Sequence, residues 1–142
     1  MLNKKGSEWV STVLYIMIGL AVMGILLAAV RPKIAQTKDS YVIEQTISSL
    51  NDLDQTIVRA ELAAGTRAKF ILQLSRGELD IDGPNGKITW KIQDSAYQYS
   101  EIGKTISVGN INAVTTASPK GFEVDFSLDY LNKIHLINNV KF

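Results

Sequence analysis

Cysteine is absent from the 142 residues, which excludes a disulfide framework and a thiolate metal site. Its absence does not by itself place the chain in a reducing compartment. Charge excess is missing as well: 15 Lys and Arg against 14 Asp and Glu leave +1, and 20% charged residues give no electrostatic footprint for a nucleic-acid partner. The single histidine, His135, sits opposite the apolar residues of a strand-like segment, where a cross-strand carboxylate partner is the expected role rather than base catalysis. No Asn-x-Ser/Thr acceptor occurs, so N-glycan decoration is not expected. No Gly-rich phosphate loop leads from a strand into a helix. Asp80-Ile81-Asp82-Gly83-Pro84-Asn85-Gly86 breaks the calcium-loop pattern, with Pro84 at the third ligand place and Asn85 at the glycine place, and reads as a hairpin turn. Trp90, Tyr97 and Tyr99 lack the surrounding cations of a base-stacking platform and read as core or sheet-surface residues. The expectation is a chain with no catalytic residue, cofactor or metal site, and not an enzyme.

Charge is also missing, completely, from residues 9–30. As a helix these twenty-two residues rise about 33 Å, against a hydrocarbon core of about 30 Å. Eleven are Leu, Ile or Val, which favours insertion by about 3–6 kcal/mol. The flank LLAAVRPK offers only Ala28 and Ala29 ahead of Val30, Arg31 and Pro32, a poor site for ordinary signal peptidase, so the run is read as retained. Its length argues against a buried helix of a soluble domain. Lys4 and Lys5 precede it and Arg31, Lys33 and Lys38 come after it, so the Lys/Arg balance does not set the orientation. The exported character of the β-rich remainder of the chain does.

Past Val30 the pattern turns amphipathic. Ile43, Ile47, Leu50, Leu53, Ile57 and Leu62 recur at helical steps, with Glu44, Asp52, Gln55 and Arg59 elsewhere. Pro32 is expected to bend the helix, and Gly65 with Thr66 to stop it, giving one helix about 84 Å long over residues 9–64. A second helix capped by Asp39 and Ser40 is the competing reading. From Ala68 the period becomes two: a leading strand with Phe70, Leu72 and Leu74, then Leu79 and Ile81, a GPNG turn, and Ile88, Trp90 and Ile92. Tyr97, Tyr99, a Gly103-Lys104 turn, Ile106 and Val108 come next, then a Gly/Asn/Ser/Thr-rich passage. FEVDFSLDY is the clearest strand, with Phe122, Val124, Phe126, Leu128 and Tyr130 on one face, and KIHLINNVKF alternates too. Residues 66–142 number only 77 and bury only somewhat more than about 60% of their unfolded surface, so the sheet is expected to dock on the amphipathic helix. The expected fold class is α+β: a long amino-terminal helix, transmembrane then amphipathic, packed against a carboxy-terminal antiparallel β-sheet domain.

Lys4-Lys5-Gly6 ahead of an apolar helix that continues as an amphipathic spine into a β-domain resembles a type IV pilin-like protein with a class III signal peptide, of the archaeal surface-filament type. The resemblance implies a class III signal peptide at 1–6, a spine helix at 7–65 and a β-rich head at 66–142. A prepilin-type peptidase would cut between Gly6 and Ser7, and the apolar helices would then assemble into a filament core. The expected function is that of a structural subunit of a type IV pilus-like filament, a fimbrium, with its head outside the cell for adhesion or surface contact. Its partners are further copies of itself in a helical filament and, before assembly, the membrane. Bacterial-type pilins carry glutamate at the fifth mature position; here Glu8 would be second, and the neighbour-amine pairing attributed to that glutamate is not carried over.

Helix association in lipid rests on close packing of small residues, and Gly24 and Ala28 form a small-xxx-small pair with Gly19 and Ala21 nearby. In a filament core, many such helices would bury surface that a single copy leaves in lipid. An alternative function stays open: a permanently membrane-anchored extracytoplasmic β-domain that binds an envelope component or acts as a stator.

Overall fold

The computed structural model describes residues 4–63, 65, 69–72 and 75–131, and the side chains of these from Gly6 onward. Its first element, α1, is a single helix Lys4–Leu62. Asp39 and Ser40 lie inside it, so the second helix start does not form. Pro32 is also internal; lacking an amide hydrogen, it leaves the Ala28 carbonyl without its i+4 donor. Beyond Leu62, Gly65 takes φ 87°, the left-handed conformation that glycine supplies at helix ends.

The chain divides into two compact units, Met1–Ala35 and Gln36–Phe142. In the second, five strands form one antiparallel sheet: β1 (Glu78–Asp82), β2 (Lys87–Ser95), β3 (Thr105–Val108), β4 (Ile111–Ser118) and β5 (Gly121–Asp129), in the order β1-β2-β5-β4-β3. The β1–β2 hairpin closes on the anticipated GPNG turn. Gly86 N–H donates to the Gly83 carbonyl at 3.2 Å, and the Asp82 carboxylate accepts from Asn85 N at 3.2 Å and from Asn85 Nδ2 at 2.6 Å. Asp82 is thereby a turn residue. Between Ile92 and Ser95 the register against β5 slips, with Asp94 at φ 53°. Gly121 (φ 149°) sits against this bulge, where an added Cβ would collide with the Ser95 carbonyl.

Alternation sends Leu79, Ile88, Trp90, Ile92, Ile111, Ala113, Val124, Phe126, Leu128 and Tyr130 to one face, where they join Ile43 and Leu50 of α1 in one core. Tyr99 meets Phe126 edge to face, with centroids 6.0 Å apart. Helix and sheet thus dock as expected, through a somewhat different stripe. Buried are Asp39, Ile43, Thr46, Leu50 and Asp54, at steps of 4, 3, 4 and 4; Ile47, Leu53 and Ile57 are half-buried beside them. Leu62 is 82% exposed and does not belong to the stripe.

Three strand-level readings need correction. Residues 69–72 are not a strand: Phe70 and Leu72 are half-buried and Ile71 is exposed, and the segment lines a shallow cleft with Gln45, Ser49 and Asp52 of α1. The alternation there reflects packing on a helix without a ladder, and Leu74 lies outside the described residues. Tyr97 and Tyr99 fall in the connection from β2 to β3, where the Ser95 hydroxyl donates to the Tyr97 carbonyl at 2.9 Å and accepts from its N–H at 3.1 Å. The Asn/Thr/Ser-rich passage is a strand, β4, whose inward residues Ile111, Ala113 and Thr115 are fully buried. His135 and the KIHLINNVKF segment lie outside the described residues.

Candidate functional site

By length and composition α1 can cross a membrane. Its charge-free run leaves every side chain exposed, from Trp9 at 76% to Val30 at 48%. The apolar surface covers the whole circumference, since apolar residues recur at nearly every position rather than at helical steps. Polar groups inside the run need local partners in an apolar medium, and Thr12 has one: its hydroxyl donates to the Glu8 carbonyl at 2.9 Å.

The junction residues open this helix. Lys4, Lys5, Gly6 and Ser7 lie in the first turns of α1, with Gly6 and Ser7 exposed. Gly19, Gly24 and Ala28 are exposed further along, and a Cβ added at Gly19 or Gly24 would meet nothing within 4 Å. Nothing among the described residues therefore requires glycine at those two places. Gly24 and Ala28 share a helix face with Ala21, whereas Gly19 lies about 140° round the helix from Gly24 at roughly 100° per residue. The small-residue face consists of Ala21, Gly24 and Ala28.

In the second unit the docking of sheet on helix is held at both ends by buried carboxylates. Asp39 accepts from Arg76 Nη1 at 2.7 Å and from the Ala96 N–H at 2.6 Å. Arg76 also donates to the carbonyls of Gln93 at 2.8 Å and Asp94 at 2.6 Å, holding the bulge of β2, while its own carbonyl accepts from Trp90 Nε1 at 3.1 Å. Asp54, fifteen positions on, accepts from the Tyr130 hydroxyl at 2.7 Å and from Asn110 Nδ2 at 2.8 Å. One carboxylate thus grips the β2 bulge, and the other grips the end of β5 and the β3–β4 turn. Apolar periodicity does not register these acids. Their spacing does, because Asp39 and Asp54 continue the 4, 3, 4, 4 stripe of Ile43, Thr46 and Leu50.

Burial, with the hydrogen bond to Asp54 second, pushes the Tyr130 phenol well above the ordinary tyrosine range. Above about pH 10 the unfolded chain releases that proton while the folded chain keeps it, so stability falls as pH rises through this window. Tyr130→Phe leaves Asp54 short of a donor and is expected to cost about 1–3 kcal/mol at neutral pH. The variant should also lose the Tyr130 share of the alkaline slope. Urea titrations of the detergent-solubilised chain at pH 7.5 and above pH 10 check both effects.

On the outer face Lys91 Nζ lies 3.1 Å from Glu123 Oε1 and 3.7 Å from Asp125 Oδ1, and the latter atom is buried without a hydrogen bond among the described residues. The hydrogen bond to Glu123, followed by the Asp125 charge, raises the Lys91 pKa. Burial raises that of Asp125 against the opposing pull of Lys91. A second buried network, missed in the sequence, sits behind β4. The Ser100 hydroxyl and N–H both donate to Thr115 Oγ1, at 2.8 and 3.1 Å, pinning the β2–β3 connection to the sheet. No family model, curated protein or solved structure matches the chain.

Proposed function

We propose that the chain is a structural subunit of a type IV pilus-like extracellular filament. It polymerises through residues 9–30 and displays its β-domain outside the cell for adhesion or surface contact. The observation that carries this reading is the helix surface, apolar on every side and exposed throughout. A continuous apolar surface of this kind needs an apolar environment, and only lipid or other copies of the same helix supply one along its whole length. Lipid serves the newly inserted chain. Packing among copies serves the filament, with Ala21, Gly24 and Ala28 permitting close approach on one face. The Lys4-Lys5-Gly6-Ser7 junction fits the same scheme, because a cut after Gly6 keeps the whole apolar run in the mature chain while an ordinary signal peptidase would discard it.

Mechanically, the subunit needs a head that does not detach from its spine, and the Asp39 and Asp54 clamps serve that need. The test is fractionation of cells that express the chain with its own export machinery. Recovery from sheared, sedimentable filaments supports the reading. Recovery solely from the membrane pellet points to the second reading, a permanently anchored extracytoplasmic binding module. The feature favouring that second reading is Glu8, second rather than fifth after the junction.

A further inference from the structure

The sheet face turned away from α1 carries a segregated charge pattern. Register places Glu78, Lys91 and Asp125 side by side, then Asp80, Thr89 and Ser127, then Asp82, Lys87 and Asp129. Each lysine is flanked by an acid on both neighbouring strands, an arrangement that stabilises the sheet. With Glu123 there are, among the described residues, six carboxylates to two ammonium groups, a formal excess of four negative charges. The helix carries the opposite imbalance. Between Glu8 and Asp39 it holds Arg31, Lys33 and Lys38 and no acid, and the exposed Arg31 and Lys38, seven positions apart, share one helix face. Asp39 comes directly after them, but its two oxygens are engaged by Arg76 and the Ala96 N–H.

Resting on the filament reading, we infer that the acidic sheet face of one copy docks on the Arg31/Lys38 collar of a neighbouring copy. Complementary charge names the partner, since this chain carries both surfaces. They are different surfaces, so the contact is head-to-tail; such a contact extends into an open helical array unless its rotation closes a ring. The apolar helices supply non-directional cohesion, and the charge contact sets the register between copies.

Charge exchange tests this. Glu78 and Asp80 are exposed on the edge strand β1; lysine at 80 faces Thr89, lysine at 78 gives up the pairing with Lys91 at a cost of about 1 kcal/mol or less, and Arg31 and Lys38 are exposed on α1. Removing positive charge from the outer flank of the span does not oppose its orientation. E78K/D80K and R31E/K38E are each expected to lower the yield of sheared filaments by about tenfold, equivalent to about 1.4 kcal/mol. The chain carrying all four changes should recover the wild-type yield. Cooperative thermal unfolding of each detergent-solubilised variant, well above the assay temperature, controls for folding. Wild-type yield from both double variants overturns the inference. So does failure of the fourfold variant to recover, which would assign the collar to anionic lipid headgroups. If the unaltered chain forms no filaments, the filament reading itself fails, and the inference fails with it.

Discussion

Leu50→Asp is expected to unfold the unit Gln36–Phe142 while the apolar run remains membrane-inserted. Leu50 is 1% exposed and packs in one core with Trp90, Phe126 and Leu128. The substitution removes a leucine from that core, at about 2–5 kcal/mol by analogy with truncation. It also places a carboxylate there, at several kcal/mol more unless the group takes up a proton. Asp39 and Asp54 show what a carboxylate on this stripe requires, because each accepts two hydrogen bonds from the sheet. Trp90 Nε1 and the Tyr130 hydroxyl, donors in the same core as Leu50, are already engaged by the Arg76 carbonyl and Asp54. Against a typical domain stability of about 5–15 kcal/mol, the combined loss is decisive. Limited proteolysis of the detergent-solubilised chain should reduce the variant to the fragment shielded by the detergent micelle, under conditions that leave the wild type intact. Ser48→Asp, on the exposed side of the same helix, should behave as wild type. A protease-resistant Leu50→Asp head would contradict the docking.

Gly6→Leu is expected to abolish filaments without affecting the fold. Gly6 is exposed, and an added Cβ meets nothing within 4 Å among the described residues, which leave room for a larger side chain there. The proposed constraint lies in the peptidase, which must bring its active site to the bond after Gly6. The variant should accumulate in the membrane at precursor mass with its head resistant to protease. Filaments at wild-type yield from this variant would count against processing at Gly6.

The parts of the fold legible in the sequence are those where chemistry and periodicity coincide. The charge-free run, the GPNG hairpin and the strict alternation of Phe122 to Tyr130 each offer one reading. β4 hides because its inward positions include Ala113 and Thr115, whose small or polar side chains mute the alternation. Thr115 is nonetheless fully buried, its hydroxyl satisfied by Ser100. Asp39 and Asp54 hide for a related reason: an apolar-only stripe passes over acids whose burial depends on donors 37 to 76 residues away. Residues 69–72 mislead in the other direction, since half-burial against a helix produces the same period as a strand. The Gly24/Ala28 pair is legible as a small-xxx-small spacing, whereas sequence proximity does not put Gly19 on the same side, because it lies about 140° round the helix from Gly24.

Intact mass and amino-terminal sequencing of the chain from shed filaments test the central claim most directly. The account predicts a chain that begins at Ser7, with residues 9–30 intact. A chain in native filaments that retains residues 1–6, or one that begins beyond Val30, would contradict it.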